Sequence, residues 1–135
     1  MRKAPWIIDC DAGSDDWIAV LLLACAPEVD LRLVTVTGSG LARLPAGADN
    51  VRRVLRRDRE VPVALGSPVP LQGDGAFPAA WRDETDRLLG LQLAEGRRPP
   101  LPDPAPQALH DALQEAAAPV CLLALGPLTD VALAL

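Results

Sequence analysis

IIDCDAGSDDWIAV, residues 7–20, joins an apolar run to a helical segment through four aspartates. Residues 5–9 are predicted to form the first strand, because they are apolar and end in an acid. Ser14 is a candidate N-cap for a helix that runs to Ala26, where Pro27 stops it. A strand, a tight turn and a helix in this order form the first unit of an alternating α/β chain.

The rest of the chain repeats this alternation of strands and helices. Further strands are predicted at 31–37, 61–65 and 119–125, and further helices at 46–57, 107–117 and 126–135. Residues 66–106 contain most of the prolines and are predicted to be a long irregular loop region with a short helix near 83–93. The predicted fold class is α/β, a Rossmann-like parallel sheet with helices on both faces. Ligands of such sheets bind beyond the carboxyl ends of the strands, here the loops 9–16, 37–40 and 126–129.

Composition limits the classes of partner. A chain of 135 residues that is half hydrophobic suits one domain with its own core. The net charge of −5 argues against nucleic acid, and no apolar run is long enough to cross a membrane, so we expect a cytoplasmic protein. Three scattered cysteines without CxxC spacing predict reduced, buried thiols.

The acidic turn is the candidate functional site. Asp9, Asp11, Asp15 and Asp16 fall within eight residues at the junction of a strand and a helix. Carboxylates held this close repel one another unless a cation compensates, and their hard oxygens suit Ca²⁺ or Mg²⁺. Asp15 and Asp16 could equally be ordinary acids at a helix N-terminus, whereas Asp9 and Asp11 favour a functional site.

These residues resemble the signature of the inosine-uridine preferring nucleoside hydrolases, DxDPGxDD before an apolar helix. Three later segments are similar to the family's second strand, third strand and LGPLTN motif: LVTVTGSG (33–40), VPVALGSPVPL (61–71) and ALGPLTDVALAL (124–135). The resemblance covers nearly the whole of this chain, which is about half as long as members of the family. It implies a truncated nucleoside hydrolase fold, with 1–135 as its amino-terminal part.

The resemblance also implies an activity, hydrolysis of the N-glycosidic bond of purine and pyrimidine nucleosides with Ca²⁺ as cofactor. Asp11, Asp16 and the Thr129 carbonyl would ligate the ion. Asp15 and Ser39 would bind the ribose, and Asp11 would act as the general base. Carboxylates beside the sugar suit this reaction, because N-glycoside cleavage passes through an oxocarbenium-like state.

Several departures from the family pattern stand out. Ala12 replaces a proline, Ser39 stands where an asparagine is usual, and Arg82 lies where a histidine is expected. The remaining half would carry a further aspartate ligand, an asparagine-and-glutamate ribose clamp and the leaving-group acid. The isolated chain is therefore expected to be inactive or weak, and a homo-oligomer or a complementing chain is a possible partner.

Other functions fit parts of the same pattern. A haloacid-dehalogenase-like phosphatase also has DxD after its first strand, with Asp9 as nucleophile and Asp11 as acid. That class and the receiver domains both expect a downstream lysine, and Lys3 is the only lysine in the chain. The third alternative is a non-catalytic remnant or assembly partner.

Overall fold

The computed structural model describes residues 3–55, 60–74 and 76–135. In this part of the chain four parallel strands form one sheet in the order β3-β2-β1-β4. The elements in chain order are β1 Ala4–Cys10, α1 Ser14–Cys25, β2 Val29–Val36, α2 Ala46–Val54, β3 Val63–Leu65, α3 Ala79–Asp86, α4 Ala105–Gln114, β4 Cys121–Ala124 and α5 Thr129–Ala134. A 3₁₀ turn, Leu88–Gly90, follows α3.

Helices cover both faces of the sheet, which confirms the predicted fold class. On one face α1 and α2 pack through residues such as Val20 and Val51 against Ile8 and Val34. On the other face α4 and α5 pack through Leu109 and other side chains of a second cluster. The alternation of side chains along each strand sends Ile8 to the first face and its neighbour to the second, so both faces need apolar cover.

Several predicted boundaries were wrong by a few residues. β3 begins at Val63, because Pro62 lacks the N–H that a ladder position needs. Helix α2 ends at Val54, and the last two residues predicted for it, 56 and 57, lie outside the described residues. Helix α5 begins only at Thr129. Ser14 is not the N-cap of α1, since the helix already begins there and Gly13 takes the capping position.

The region 66–106 carries α3, which lies closer to the N-terminus than the predicted short helix. This helix is tied to α2, because the Asn50 side chain donates to the Thr85 carbonyl (2.9 Å). Two ion pairs from Arg43 to Asp83 (2.8 Å) and Asp86 (2.7 Å) anchor it to the loop after β2. The segment is therefore held over the carboxyl end of β2, where the candidate site lies.

The cysteines are free, as predicted, but only Cys10 is buried. Cys25 and Cys121 are exposed, so the prediction of buried thiols was wrong for these two. Cys25 ends α1, and Cys121 lies on β4, the last strand on one side of the sheet in the described residues. In the part of the chain that the structure describes, none of the helices combines the length and apolarity needed to cross a membrane.

Candidate active site at the carboxyl edge of the sheet

Asp11 lies where the loops after β1, β2 and β4 meet. A Cβ atom added to Gly40, in the loop after β2, would overlap the Asp11 side chain. One added to Gly126, in the loop after β4, would lie 2.9 Å from the Asp11 nitrogen. Leu41 N–H also donates to Asp11 Oδ2 at 2.9 Å. Only glycine allows this close approach, so both loops are built around the half-buried Asp11 carboxylate.

Asp16 is buried beside Asp11. Its Oδ2 accepts backbone N–H groups from Asp11 (3.0 Å) and Gly13 (3.3 Å), which holds the turn at the start of α1. Burial above all, together with the adjacent Asp11 carboxyl, raises the pKa of Asp16 to about 7. Two carboxyl groups in contact hold a shared proton or attract a cation, because two uncompensated negative charges repel at this distance.

The turn itself has an unusual backbone. Ala12 is fully buried and has φ = 59°, the left-handed region that L-residues with a Cβ rarely adopt. A proline, usual in the family at this position, has φ near −65° and could not take this conformation. The turn leaves Asp15 exposed in the first turn of α1, where its carboxylate is accessible to a ligand.

A chain of hydroxyl groups connects the loops after β2 and β4. Ser39 Oγ lies 2.7 Å from Thr37 Oγ1 and 2.9 Å from Thr129 Oγ1. The Asp130 carboxylate accepts the Ser67 N–H at 2.8 Å, and the nearby Thr37 hydroxyl partly offsets the rise in the pKa of Asp130 that burial causes. Ser39 and Thr129 are thus brought together, although they are 90 residues apart in sequence.

Asp9 and Asp130 are buried carboxyl groups, a feature that the sequence did not predict. Asp9 is fully buried and accepts a hydrogen bond of 2.5 Å from Thr35 Oγ1, while its Oδ2 has no partner among the described residues. The pKa of Asp9 is raised to about 7, chiefly by burial and also by the nearby Asp130 and Asp11, while the hydrogen bond from Thr35 opposes the rise. Burial also raises the pKa of Asp130. An acid within an apolar strand, and the LTD that replaces LTN, are the signals that could have revealed them.

The Arg82 side chain holds the loop after β2 in place. Its guanidinium donates to three backbone carbonyls of the loop after β2, those of Gly38 (3.0 Å), Leu41 (3.1 Å) and Ala42 (3.3 Å). Arginine can satisfy several acceptors at once with its planar fork of donors. Its observed role is to hold the loop that carries Ser39 and Gly40.

The site offers hard oxygen donors for a cation, but few of them. Asp11 and Asp16 supply two carboxylates, and Thr129 lies at the start of α5. Among the described residues no group of three or more His, Cys, Asp or Glu side chains is arranged to hold a metal ion. Ca²⁺ takes six to eight oxygen ligands. The donor set therefore fits Ca²⁺ in kind and supplies part of a shell.

Fold and site together define an α/β domain with an acidic turn at the carboxyl edge of a parallel sheet. The family model described as inosine-uridine preferring nucleoside hydrolase matches residues 6–135. This chain is 38 % identical to the non-specific ribonucleoside hydrolase RihC of Klebsiella pneumoniae and 37 % identical to that of Escherichia coli, each over 134 residues. These alignments cover 98 % of this chain and 43 % of each relative.

Solved structures of nucleoside hydrolases are also similar to this chain. A plant nucleoside hydrolase, PpNRh1, matches 97 % of this chain and 42 % of its own with a TM-score of 0.83 and 29 % identity. An inosine-guanosine nucleoside hydrolase matches with a TM-score of 0.73 and 28 % identity over 98 % and 41 % of the two chains. The protein belongs to the inosine-uridine preferring nucleoside hydrolase family, and it spans less than half the length of the relatives it matches.

Proposed function

We propose that this chain carries the calcium- and ribose-binding half of an N-ribohydrolase site for purine and pyrimidine nucleosides. The observation that carries the proposal is the contact between the Asp11 and Asp16 carboxyl groups, with the glycines of two further loops packed around Asp11. Several separate segments converge on one carboxylate. Structural needs alone do not explain such an approach, because a buried acidic pair costs stability unless a ligand uses it.

The overall reaction breaks the C1′–N bond of the nucleoside and forms a C1′–O bond with water. Water loses one proton to a base, and the departing nucleobase gains one. Asp11 is the proposed general base. Its side chain is half-buried and lies beside the exposed Asp15, so a water molecule can reach it from solvent. The protonation of the nucleobase is assigned to the part of the domain that lies outside this chain.

Asp11, Asp16 and Thr129 are the proposed Ca²⁺ ligands. A bound Ca²⁺ ion would offset the repulsion between the two carboxylates and orient the ribose hydroxyls. The exposed Asp15 would accept a hydrogen bond from one ribose hydroxyl. Ser39 would contact another, with its hydroxyl positioned by Thr37 and Thr129. Negative side chains at this position also favour the positive charge that develops on the sugar.

The alternatives receive less support. A phosphatase mechanism needs Asp9 as an accessible nucleophile, yet this side chain is fully buried and bonded to Thr35. Family membership also argues against that class and against a receiver domain. A non-catalytic remnant remains compatible with the partial ligand set. Ca²⁺ dependence, a cytoplasmic location and a partnership with a second copy or a complementing chain are likewise parts of this proposal.

Calorimetric titration with Ca²⁺ tests the metal site, using the wild-type chain, Asp11→Asn and the matched control Asp103→Asn, an exposed acid in a loop. We expect the wild type and the control to bind and Asp11→Asn to lose at least about tenfold in affinity. Equal binding by all three would contradict the assignment. Ribose release from inosine and from uridine is then measured, and we expect little or none from the chain by itself.

A further inference from the structure

A cavity of about 310 Å³ lies at the amino end of β3, away from the acidic turn. It is bounded by the end of α2, by residues 60–63 at the start of β3, and by the segment 93–101, here called the outer wall. The strands are parallel and the acidic turn follows the carboxyl end of β1, so the two places lie at opposite ends of the sheet. The volume is at the small end of the range for small-molecule pockets.

The outer wall is held on both α2 and β3. The Arg52 guanidinium donates to the carbonyls of Gly96 (3.2 Å) and Arg98 (2.5 Å). A Cβ atom added to Gly96 would lie 2.7 Å from the Cβ of Arg52, an approach that only glycine allows. At the other end of the wall, the Leu101 N–H donates to the Val63 carbonyl at 2.8 Å. Contacts between separate elements therefore fix the shape of the cavity.

The lining of the cavity combines apolar side chains with charged ones. Each of the three bounding segments supplies apolar residues, among them Leu55, Val63 and Leu93. The charged residues of the lining are Arg52, Arg53, Arg97, Arg98, Glu60 and Glu95. Pockets that bind small organic molecules have this composition, since the apolar surface contacts the body of the ligand and a few polar groups fix its orientation.

Two of the four arginines are engaged within the protein. Arg52 pairs with Asp49 at 2.6 Å, in addition to its two bonds to the outer wall. Arg98 pairs with Glu60. Both guanidinium groups thus hold the walls together, and acids on the chain already balance their charges.

Arg53 and Arg97 carry the charge that the cavity does not balance. Neither forms a hydrogen bond or an ion pair with any residue that the structure describes. Glu95 is the remaining acid of the described lining, so two arginines face one glutamate and a single positive charge is left over. The formal net charge of the whole chain is −5, so this local excess of arginine does not follow from composition.

We propose that this cavity binds a small organic monoanion, a carboxylate carried on an apolar ring or chain. Arg53 and Arg97 would hold the carboxylate, because the planar donors of a guanidinium match its two oxygens. The apolar body would contact Leu55, Val63 and Leu93. A phosphate monoester carries roughly two negative charges near neutral pH and would exceed the single charge available. This second site shares no residue with the acidic turn and is independent of the proposed function.

Titration with cinnamate, which joins a carboxylate to an apolar ring, tests the site. Two-dimensional NMR follows the backbone amide signals of the whole chain. We expect saturable shifts below about 10 mM cinnamate, largest at residues 53–55, 60–63 and 93–98. Cinnamamide has a similar shape without the charge and should bind at least about tenfold more weakly. Acetate has the charge without the apolar body and should also bind at least about tenfold more weakly.

Substitutions locate the bound anion. The double variant Arg53→Gln with Arg97→Gln should bind cinnamate at least about tenfold more weakly than the wild type. The matched control, Arg32→Gln with Arg87→Gln, removes the same charge from exposed positions away from the cavity and should leave affinity unchanged. Asp11→Asn should also bind cinnamate as the wild type does. Circular dichroism checks that each variant is folded.

Shifts that stay linear up to about 10 mM cinnamate, or equal binding of cinnamate and cinnamamide, would overturn the proposal. Unchanged affinity in the folded double variant would do the same. Shifts centred on residues 37–41, or binding lost in Asp11→Asn, would move the anion to the acidic turn and overturn it as well. The comparison of cinnamate with cinnamamide needs no substitution, so it decides the matter if a variant fails to fold. None of these readouts depends on Ca²⁺ binding or on ribose release.

Discussion

Replacing Asp9 with asparagine should change how the stability of the folded chain depends on pH. Asp9 is fully buried in β1, and its carboxyl group has a folded-state pKa of about 7, against an ordinary value of 3.8. A carboxyl group with a raised pKa favours folding in its protonated form. Its stabilising contribution is therefore fully present below pH 3.8 and is lost as the pH rises through about 7.

The size of the effect follows from the difference between the two pKa values. A rise from 3.8 to about 7 corresponds to roughly 4 kcal/mol over the whole titration, of which about 2–3 kcal/mol is lost between pH 5 and pH 8. Asp16 also has a folded pKa of about 7 and adds a loss of the same sign. The side chain introduced by Asp9→Asn would keep the hydrogen bond from Thr35 and remain uncharged, so the variant should lose only the contributions of Asp16 and Asp130.

Urea denaturation at pH 5, 6, 7 and 8 in metal-free buffer measures this dependence. The free energy of unfolding of the wild type should fall across the series, and that of Asp9→Asn should fall less far, by about 2–3 kcal/mol. Asp103→Asn, which changes an exposed acid, should follow the wild type. Parallel curves for wild type and Asp9→Asn, or a wild-type stability that increases from pH 5 to 8, would refute the reasoning.

Three further substitutions test the geometry of the site by urea denaturation. Ala12→Pro, which restores the usual family residue, should destabilise the chain by at least about 2 kcal/mol, because φ = 59° is closed to proline; Ala12→Gly is the control. Gly40→Ala should cost about 1–3 kcal/mol and weaken Ca²⁺ binding, since its Cβ would overlap Asp11; an unchanged stability would show that the loop does not pack there. Arg82→Met should cost about 1–3 kcal/mol and expose residues 38–42 to proteolysis, with Arg82→Lys recovering part of the loss.

The general plan of the fold could be predicted from local patterns. Apolar strands with β-branched residues, such as 31–37, and helices that end before Pro27 are set by short-range sterics and hydrophobic spacing. Element ends were predicted less well. Ser14 was predicted to be the N-cap from its residue type. The N-cap is Gly13, and its N–H donates to the Asp16 carboxylate. Capping depends on which side chain reaches the free N–H groups, and that is decided by the turn geometry.

The acidic turn was located correctly at the junction of β1 and α1, because its four aspartates are neighbours in sequence. The contacts of this turn with other loops could not be predicted from sequence neighbours. Gly40, Gly126 and the hydroxyl pair of Ser39 and Thr129 meet only when β2, β1 and β4 lie side by side. Nor does the sequence show that α3 directs the Arg82 guanidinium to the backbone carbonyls of the loop after β2.

Sequence by itself determined what is local in this protein, namely the alternating elements, the cluster of acids and the motifs that carry the family resemblance. Tertiary structure alone decided that Asp9 and Asp130 are buried, that glycines from two other loops pack against Asp11, and that the segment with Leu101 lies along β3. The physical reason is range. Propensity and periodicity act over a few residues, whereas burial, pKa and edge exposure depend on which strands become neighbours in the folded sheet.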